Sequence, residues 1–304
     1  TYFAAKHQTQ DIPELANITA PEKVKKIHEE YLNAGAKFIR TNTFASNKET
    51  LQEDFAEVEK NIQAAVEIAR DAVNGRDAWI AGDIGPIPVN GAEDAAAAAD
   101  EYYQIAKTFA ERGVTALDFE TFADLDGILP AIKKICAEYE MFIMVSFSVN
   151  QFGYSAAGLS AKRLLADAAA VPEIDAVGLN CGVGPAHMRQ ILEKAGRPGD
   201  KFLLAIPNAG YPTLTRNKLQ FGNTPAYFAE KMKELQALGA DILGGCCGTT
   251  PEFIGELSSW DGILNKIVLD TETDNGEQTG HVQRHGFLYD ENGERKQKKL
   301  IAVE

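Results

Sequence analysis

Three of the four cysteines stand beside glycines in short apolar stretches: Cys181 in Gly178-Leu-Asn-Cys-Gly182, and the adjacent pair Cys246 and Cys247 in Gly244-Gly-Cys-Cys-Gly248. Thiolates are nucleophiles and soft metal ligands. Three of them gathered at one place fit Zn²⁺ with one tetrahedral position left over, the pattern of a catalytic rather than a structural site. Too many positions separate Cys181 from Cys246 for a zinc-finger loop, so only the fold can join them. Adjacent cysteines on a regular strand point to opposite faces. Cys246 and Cys247 can therefore share one ion only where the chain leaves strand geometry, and Gly244, Gly245 and Gly248 supply the freedom to do so. Two blander readings of the pair stay open, close-packed core and a vicinal disulfide. Cys136 differs, because it shares a helix face with Ile132, Ile135 and Tyr139 and reads as packing. His187, in a helical context after Cys181, is either a fourth ligand or an ordinary helix residue.

The elements that must position these residues alternate between helix and strand patterns. Pro21 suits a first helical turn and Thr19 can cap it; Val24, Ile27 and Tyr31 follow at helical spacing, and Gly35 suits a left-handed stop. Apolar runs of strand length then recur at 36–44, 78–84, 113–120, 141–149, 174–180, 202–207 and 239–246. Each is followed by helix-compatible sequence, although 85–90 is a Pro/Gly loop. Regular alternation with strands buried on both faces predicts an α/β fold with a parallel sheet. An open, doubly wound sheet and a closed barrel both fit. The first helix has no strand before it, since Thr1 to Ile18 reads as a loop. Seven strands plus one absent from the chain make the eight of a (β/α)8 TIM barrel whose first strand is missing.

The C-terminal strand ends of such a barrel carry its chemistry. They hold Thr41-Asn42-Thr43, Asp83-Ile-Gly85-Pro86, Glu120-Thr121, Ser146 and Ser148, Asn180-Cys181-Gly182, Asn208-Ala-Gly210 and the Cys246-Cys247 pair. Glu120 is equally a solvated rim charge or a functional carboxylate, and Asn208 equally a turn former or a ligand contact. The barrel is expected over 1–265. Residues 266–304 are set apart as a polar linker or tail leading towards a second module, ending in the strand-like Leu300-Ile-Ala-Val.

With 304 residues and 45% apolar content, the chain suits one large domain or two small ones. A net charge of −14 argues against a nucleic-acid surface or a polybasic membrane anchor, which need clustered Lys and Arg. No apolar run approaches the roughly 20 residues of a spanning helix, and no secretory leader pattern opens the sequence. Four cysteines without an even-spaced framework predict a reduced, cytoplasmic protein.

Gly178-Leu-Asn-Cys181-Gly and Gly244-Gly-Cys-Cys-Gly-Thr-Thr-Pro251 resemble the two zinc-binding motifs of the homocysteine S-methyltransferase family. Thr41-Asn-Thr-Phe-Ala-Ser-Asn47, Gly82-Asp-Ile-Gly-Pro86, Glu120-Thr121-Phe122 and Pro207-Asn-Ala-Gly210 resemble its other strand-end signatures. The likeness covers residues 12–258 in the family's order, and the Cys-Cys motif is its most specific part. It implies Zn²⁺ held by Cys181, Cys246 and Cys247, homocysteine as the substrate, and Glu120, Asn208 and Thr43 as substrate-binding residues. It also implies methyl transfer to the homocysteine thiol, giving methionine. Two departures stand out. The family's first strand ends in an Asp-Gly-Gly-Met-Gly-like turn that holds the substrate carboxylate, and this sequence begins after it. Ala45 stands where betaine-using relatives have a tyrosine.

None of the five histidines fits the Asp-x-His-x-x-Gly cobalamin pattern. The methyl donor, methylcobalamin or 5-methyltetrahydrofolate, is therefore expected on another module or protein. Thiol alkylation suits the residues: three thiolates on Zn²⁺ leave the site at −1, and a fourth from homocysteine makes it −2, which favours a nucleophilic sulfur. The competing readings are a methyltransferase using S-methylmethionine or S-adenosylmethionine, and a non-catalytic zinc or thiol redox barrel.

Overall fold

A strand sends alternate residues to opposite faces, so in a closed barrel one parity fills the interior and the other meets the helices. The computed structural model describes residues 2–7, 9, 11–89, 91–215, 218–259 and 300–303. Its strands are β1 (Phe38–Arg40), β2 (Trp79–Ile84), β3 (Ala116–Phe122), β4 (Phe142–Phe147), β5 (Ala176–Asn180), β6 (Phe202–Ile206), β7 (Pro212–Thr215), β8 (Lys218–Phe221), β9 (Ile242–Gly244) and β10 (Leu300–Val303). Eight of them close a parallel barrel in the order β1-β10-β9-β6-β5-β4-β3-β2, and β7 and β8 form an antiparallel hairpin beside it.

All seven expected strands are present. The eighth comes from the end of the chain. β10 lies parallel between β1 and β9, with Ala302 opposite both Phe38 and Gly244. The place of the absent first strand is thus taken by residues 300–303, which join the barrel rather than the expected tail. The physical reason is that seven parallel strands leave two edges of unpaired amides and carbonyls, which one more apolar strand satisfies. The expected boundary at 265 and the polar stretch before 300 lie outside the described residues.

The two parities have different jobs. Phe38, Ala81, Ala116, Phe142, Ala176 and Ile242 belong to the inner apolar cluster. Ile39, Leu117, Ile143, Val177, Leu203 and Leu243 belong to the larger cluster that includes the helices. Two residues further along β1, β2 and β3, the inner parity turns polar: Arg40 above Phe38, Asp83 above Ala81, then Asp118 and Glu120 above Ala116. All four are buried. The apolar floor and the charged mouth are thus one periodic pattern read along the strands.

Gly178 also lies on the inner parity, paired with Leu204 across β5 and β6. A Cβ there would fall 2.1 Å from the Leu204 carbonyl oxygen. The glycine of this motif is therefore a packing requirement. Gly178→Ala is expected to destabilise the barrel by about 1–3 kcal/mol, read as a lower urea midpoint at unchanged slope. An unchanged midpoint would mean that the two strands separate at no cost.

The first long helix runs Pro21–Asn33 and buries Val24, Ile27, His28, Tyr31 and Leu32. Gly35 ends it with φ of 101°, as expected. Thr19 does not cap it; its hydroxyl donates to the Leu15 carbonyl at 3.0 Å, within the preceding turn. Among the described residues, no helix is long and apolar enough to cross a membrane.

Candidate metal and amino-acid site at the barrel mouth

β5 ends at Asn180, and the next residue, Cys181, adopts a left-handed backbone with φ of 53°, followed by Gly182 at 68°. The turn stays anchored, because the Cys181 amide donates to the Ile206 carbonyl at 3.0 Å. Only glycine fits after it: a Cβ on Gly182 would lie 2.2 Å from the Val149 carbonyl oxygen.

β9 stops at Gly244, so Cys246 and Cys247 are freed from strand alternation. The Cys246 amide donates to the Pro207 carbonyl, and the Cys247 carbonyl accepts from the Ala209 amide, both at 2.9 Å. Thr249 closes the turn by donating its hydroxyl to the Cys246 carbonyl at 2.6 Å. The buried Tyr31 hydroxyl in turn donates to the Thr249 carbonyl at 2.8 Å, tying this loop to the first long helix.

The three sulfurs converge as a result. Those of Cys181, Cys246 and Cys247 all lie within 4.8 Å of one another. Cys181 and Cys247 are 3.7 Å apart. A tetrahedral ion with metal–sulfur bonds of about 2.3 Å sets its ligands about 3.8 Å apart, so the donor set fits a metal of zinc's size and softness. The Cys246 and Cys247 thiols, with help from the Gly182 amide and the Asn208 side chain, pull the Cys181 thiol down to about 2 against the opposing effect of burial. That is the direction a metal ligand requires. None of the four cysteines is in a disulfide, so the adjacent pair forms no vicinal bridge. Cys136 packs half-buried against the core and takes no part. His187 also takes no part; its ring meets Tyr211 edge-on at 5.4 Å.

A cavity of about 500 Å³ opens over the cysteines and is also lined by Arg40, Thr41, Thr43, Asp83, Glu120 and Thr121. Glu120 is not a rim charge. It is 5% exposed, it pairs with the Arg40 guanidinium, and it accepts from the Asn180 amide at 2.8 Å. Arg40 also reaches Asp118 at 3.4 Å. Burial, then the charge of Glu120, push the Asp83 carboxyl well above the usual range, while the neighbouring carboxylates hold the Arg40 guanidinium charged despite burial.

Asn180 is fully buried and uses both ends of its side chain. It also donates to the Thr121 hydroxyl at 2.6 Å and accepts from the Thr121 amide at 2.8 Å and the Ser146 hydroxyl at 3.0 Å. One residue thus joins the carboxylate strand to the first cysteine. Thr121, like Cys181, is left-handed, with φ of 67°.

The remaining expected residues sit nearby in different states. The Thr43 hydroxyl donates to the Asp83 carbonyl at 2.8 Å and lies 2.6 Å from the Thr41 hydroxyl, so it already braces β1 against β2. Asn208 directs its side chain at Cys181, and its buried Oδ1 has no hydrogen-bond partner. Asn42 donates its side-chain amide to the Pro13 carbonyl at 2.9 Å and to Asn17 at 3.0 Å. Arg40 and Asp118 escaped the sequence reading, although their signal was available. They lie two residues from Phe38 and Ala116 respectively, on the same strand face.

A closed parallel barrel thus brings three convergent thiols and a charged pocket together at its C-terminal mouth. The sequence model described as homocysteine S-methyltransferase matches residues 4–260, and the chain belongs to that family. Similar relatives include the methionine synthases of Mycobacterium tuberculosis, 30% identical over 261 residues, and of Mycobacterium leprae, 30% identical over 262. Each match covers 81% of this chain and 22% of the relative, so the chain spans about a fifth of the length of these proteins. The homocysteine methyltransferase MmuM from Escherichia coli, solved in a metallated form, superposes with a TM-score of 0.68 at 20% identity, covering 84% of this chain and 91% of MmuM. Its oxidised form gives 0.69, covering 83% and 90%. These structures share the fold.

Proposed function

We propose that this barrel binds Zn²⁺ through Cys181, Cys246 and Cys247 and presents the thiol of homocysteine for methylation to methionine. The observation that carries the reading is the convergence of three sulfurs from two distant strand ends beside a buried, acidic pocket. A zinc ion held there lowers the pKa of an incoming thiol, so that the sulfur is a thiolate at neutral pH.

The chain's own residues do the rest. The three cysteines fix where the substrate sulfur sits. Glu120 accepts a charge-assisted hydrogen bond from the α-ammonium, and the unpartnered Oδ1 of Asn208 offers a second acceptor near the sulfur. Thr43 shapes the same wall. Holding both ends of the amino acid leaves the sulfur aimed at the open mouth, where proximity and alignment lower the barrier. The sulfur lone pair forms the new S–CH₃ bond as the donor–methyl bond breaks, its electron pair leaving with the donor. The thiol proton is lost earlier, on binding. The methyl donor, methylcobalamin or 5-methyltetrahydrofolate, arrives on another module or protein, a reading supported by the relatives being methionine synthases.

Calorimetry on the zinc-loaded chain in buffers of different ionisation enthalpy tests this. Homocysteine is expected to bind with release of about one proton per site near pH 7, since its thiol is mostly protonated in solution. Methionine, with no thiol to ionise, should release none. Binding of homocysteine without proton release would refute the proposed thiolate.

A further inference from the structure

Arg40 faces three carboxylates inside the barrel mouth. It contacts Glu120, lies 3.4 Å from Asp118, and is close enough to Asp83 to feel its charge. All four side chains are buried, Arg40 being 3% exposed and Asp118 fully enclosed. A guanidinium at that depth requires carboxylate partners, and the carboxylates equally require it. One guanidinium among three carboxyl groups leaves acceptor oxygens over in a pocket that also holds three thiols. The Oδ1 atom of Asp83 has no hydrogen-bond partner there. Spare acceptors suit a small hydrogen-bond donor, and the α-ammonium of an amino-acid substrate is one.

We propose that Arg40 is a positioning residue of the amino-acid pocket: by bridging Asp118 and Glu120 it keeps the Glu120 carboxylate charged and turned to meet the α-ammonium of homocysteine. This rests on the reading of Glu120 given above. Asp118 and Glu120 are two apart on β3 and so share one face, and the planar fork of an arginine can engage both at once, which a lysine does less well. Asn180 already holds the same Glu120 oxygen that Arg40 contacts. Orientation therefore has two sources, whereas charge balance comes from Arg40. With a neutral residue at position 40, the crowded acids would take up protons, and a neutral Glu120 would lose its charge-assisted bond to the ammonium.

The test compares homocysteine with its deamino analogue, a mercaptobutyrate that keeps the thiol and carboxylate and lacks the ammonium. Both are titrated calorimetrically into the zinc-loaded full chain. Arg40→Gln is expected to weaken homocysteine about tenfold or more while leaving the analogue's affinity and the zinc content unchanged, and Arg40→Lys should restore part of the loss. Equal weakening of both ligands would show a merely structural role and overturn the proposal, as would wild-type homocysteine affinity in Arg40→Gln. Because that variant leaves buried acids unbalanced, Arg40→Gln/Asp118→Asn supplies a second arm with one acid fewer. It should fold and show the same selective loss, and undiminished selectivity in it overturns the proposal too. Loss of homocysteine affinity in Glu120→Gln with none in Arg40→Gln removes only Arg40 from the scheme. No loss in Glu120→Gln removes the ammonium reading itself.

Discussion

Cys247→Ser is expected to abolish stoichiometric zinc binding and with it any binding of homocysteine through sulfur. A serine hydroxyl does not ionise near neutral pH and is a hard donor, so the shell falls to two thiolates. Loss of an outer partner alone weakens metal sites about 10–100-fold, and loss of a direct ligand should exceed that. The fold should survive, because Cys247 is only half-buried and its loop is held through backbone bonds to Ala209 and through the Thr249–Tyr31 contact. Cys136→Ser is the control, with its side chain on a helix among Ile132 and Ile135. Elemental analysis of purified variants decides the matter. Full zinc retention in Cys247→Ser, or its loss in Cys136→Ser, would rule out the assignment.

Glu120→Gln should weaken homocysteine binding or methyl transfer by about 1.5–3 kcal/mol, roughly ten- to a hundredfold, with zinc content unchanged. Glutamine fills nearly the same volume, and its carbonyl can still accept from Asn180, so the substitution chiefly removes charge. Arg40 retains Asp118 as a partner, which limits collateral damage to the inner mouth. Wild-type affinity would mean that the carboxylate serves only its ion pair with Arg40. Loss of zinc together with affinity would mean that Glu120 supports the metal shell through Asn180 and Cys181 instead.

Much of this site was legible along the chain because it follows local rules. The apolar runs, the helix between Pro21 and Asn33 and the glycine stops depend on neighbours a few residues away. The clustering of reactive side chains at strand ends follows from barrel architecture once the alternation is seen. Arg40 and Asp118 went unread although parity alone would have placed them on the inner face, because a charged residue inside an apolar strand is ordinarily taken for an edge or a solvated position.

The sequence by itself determined the alternating elements, the motif residues and the types of ligand available, since backbone preference and side-chain chemistry are properties of short segments. Tertiary structure alone decided that Cys181 and the Cys246–Cys247 pair converge, because barrel closure, not spacing, brings their strand ends to one mouth. It also decided that Glu120 is buried against Arg40, and that the last strand is supplied by residues 300–303. Charge pairing and strand closure satisfy groups far apart in the chain, and no local pattern encodes which distant partner will be there.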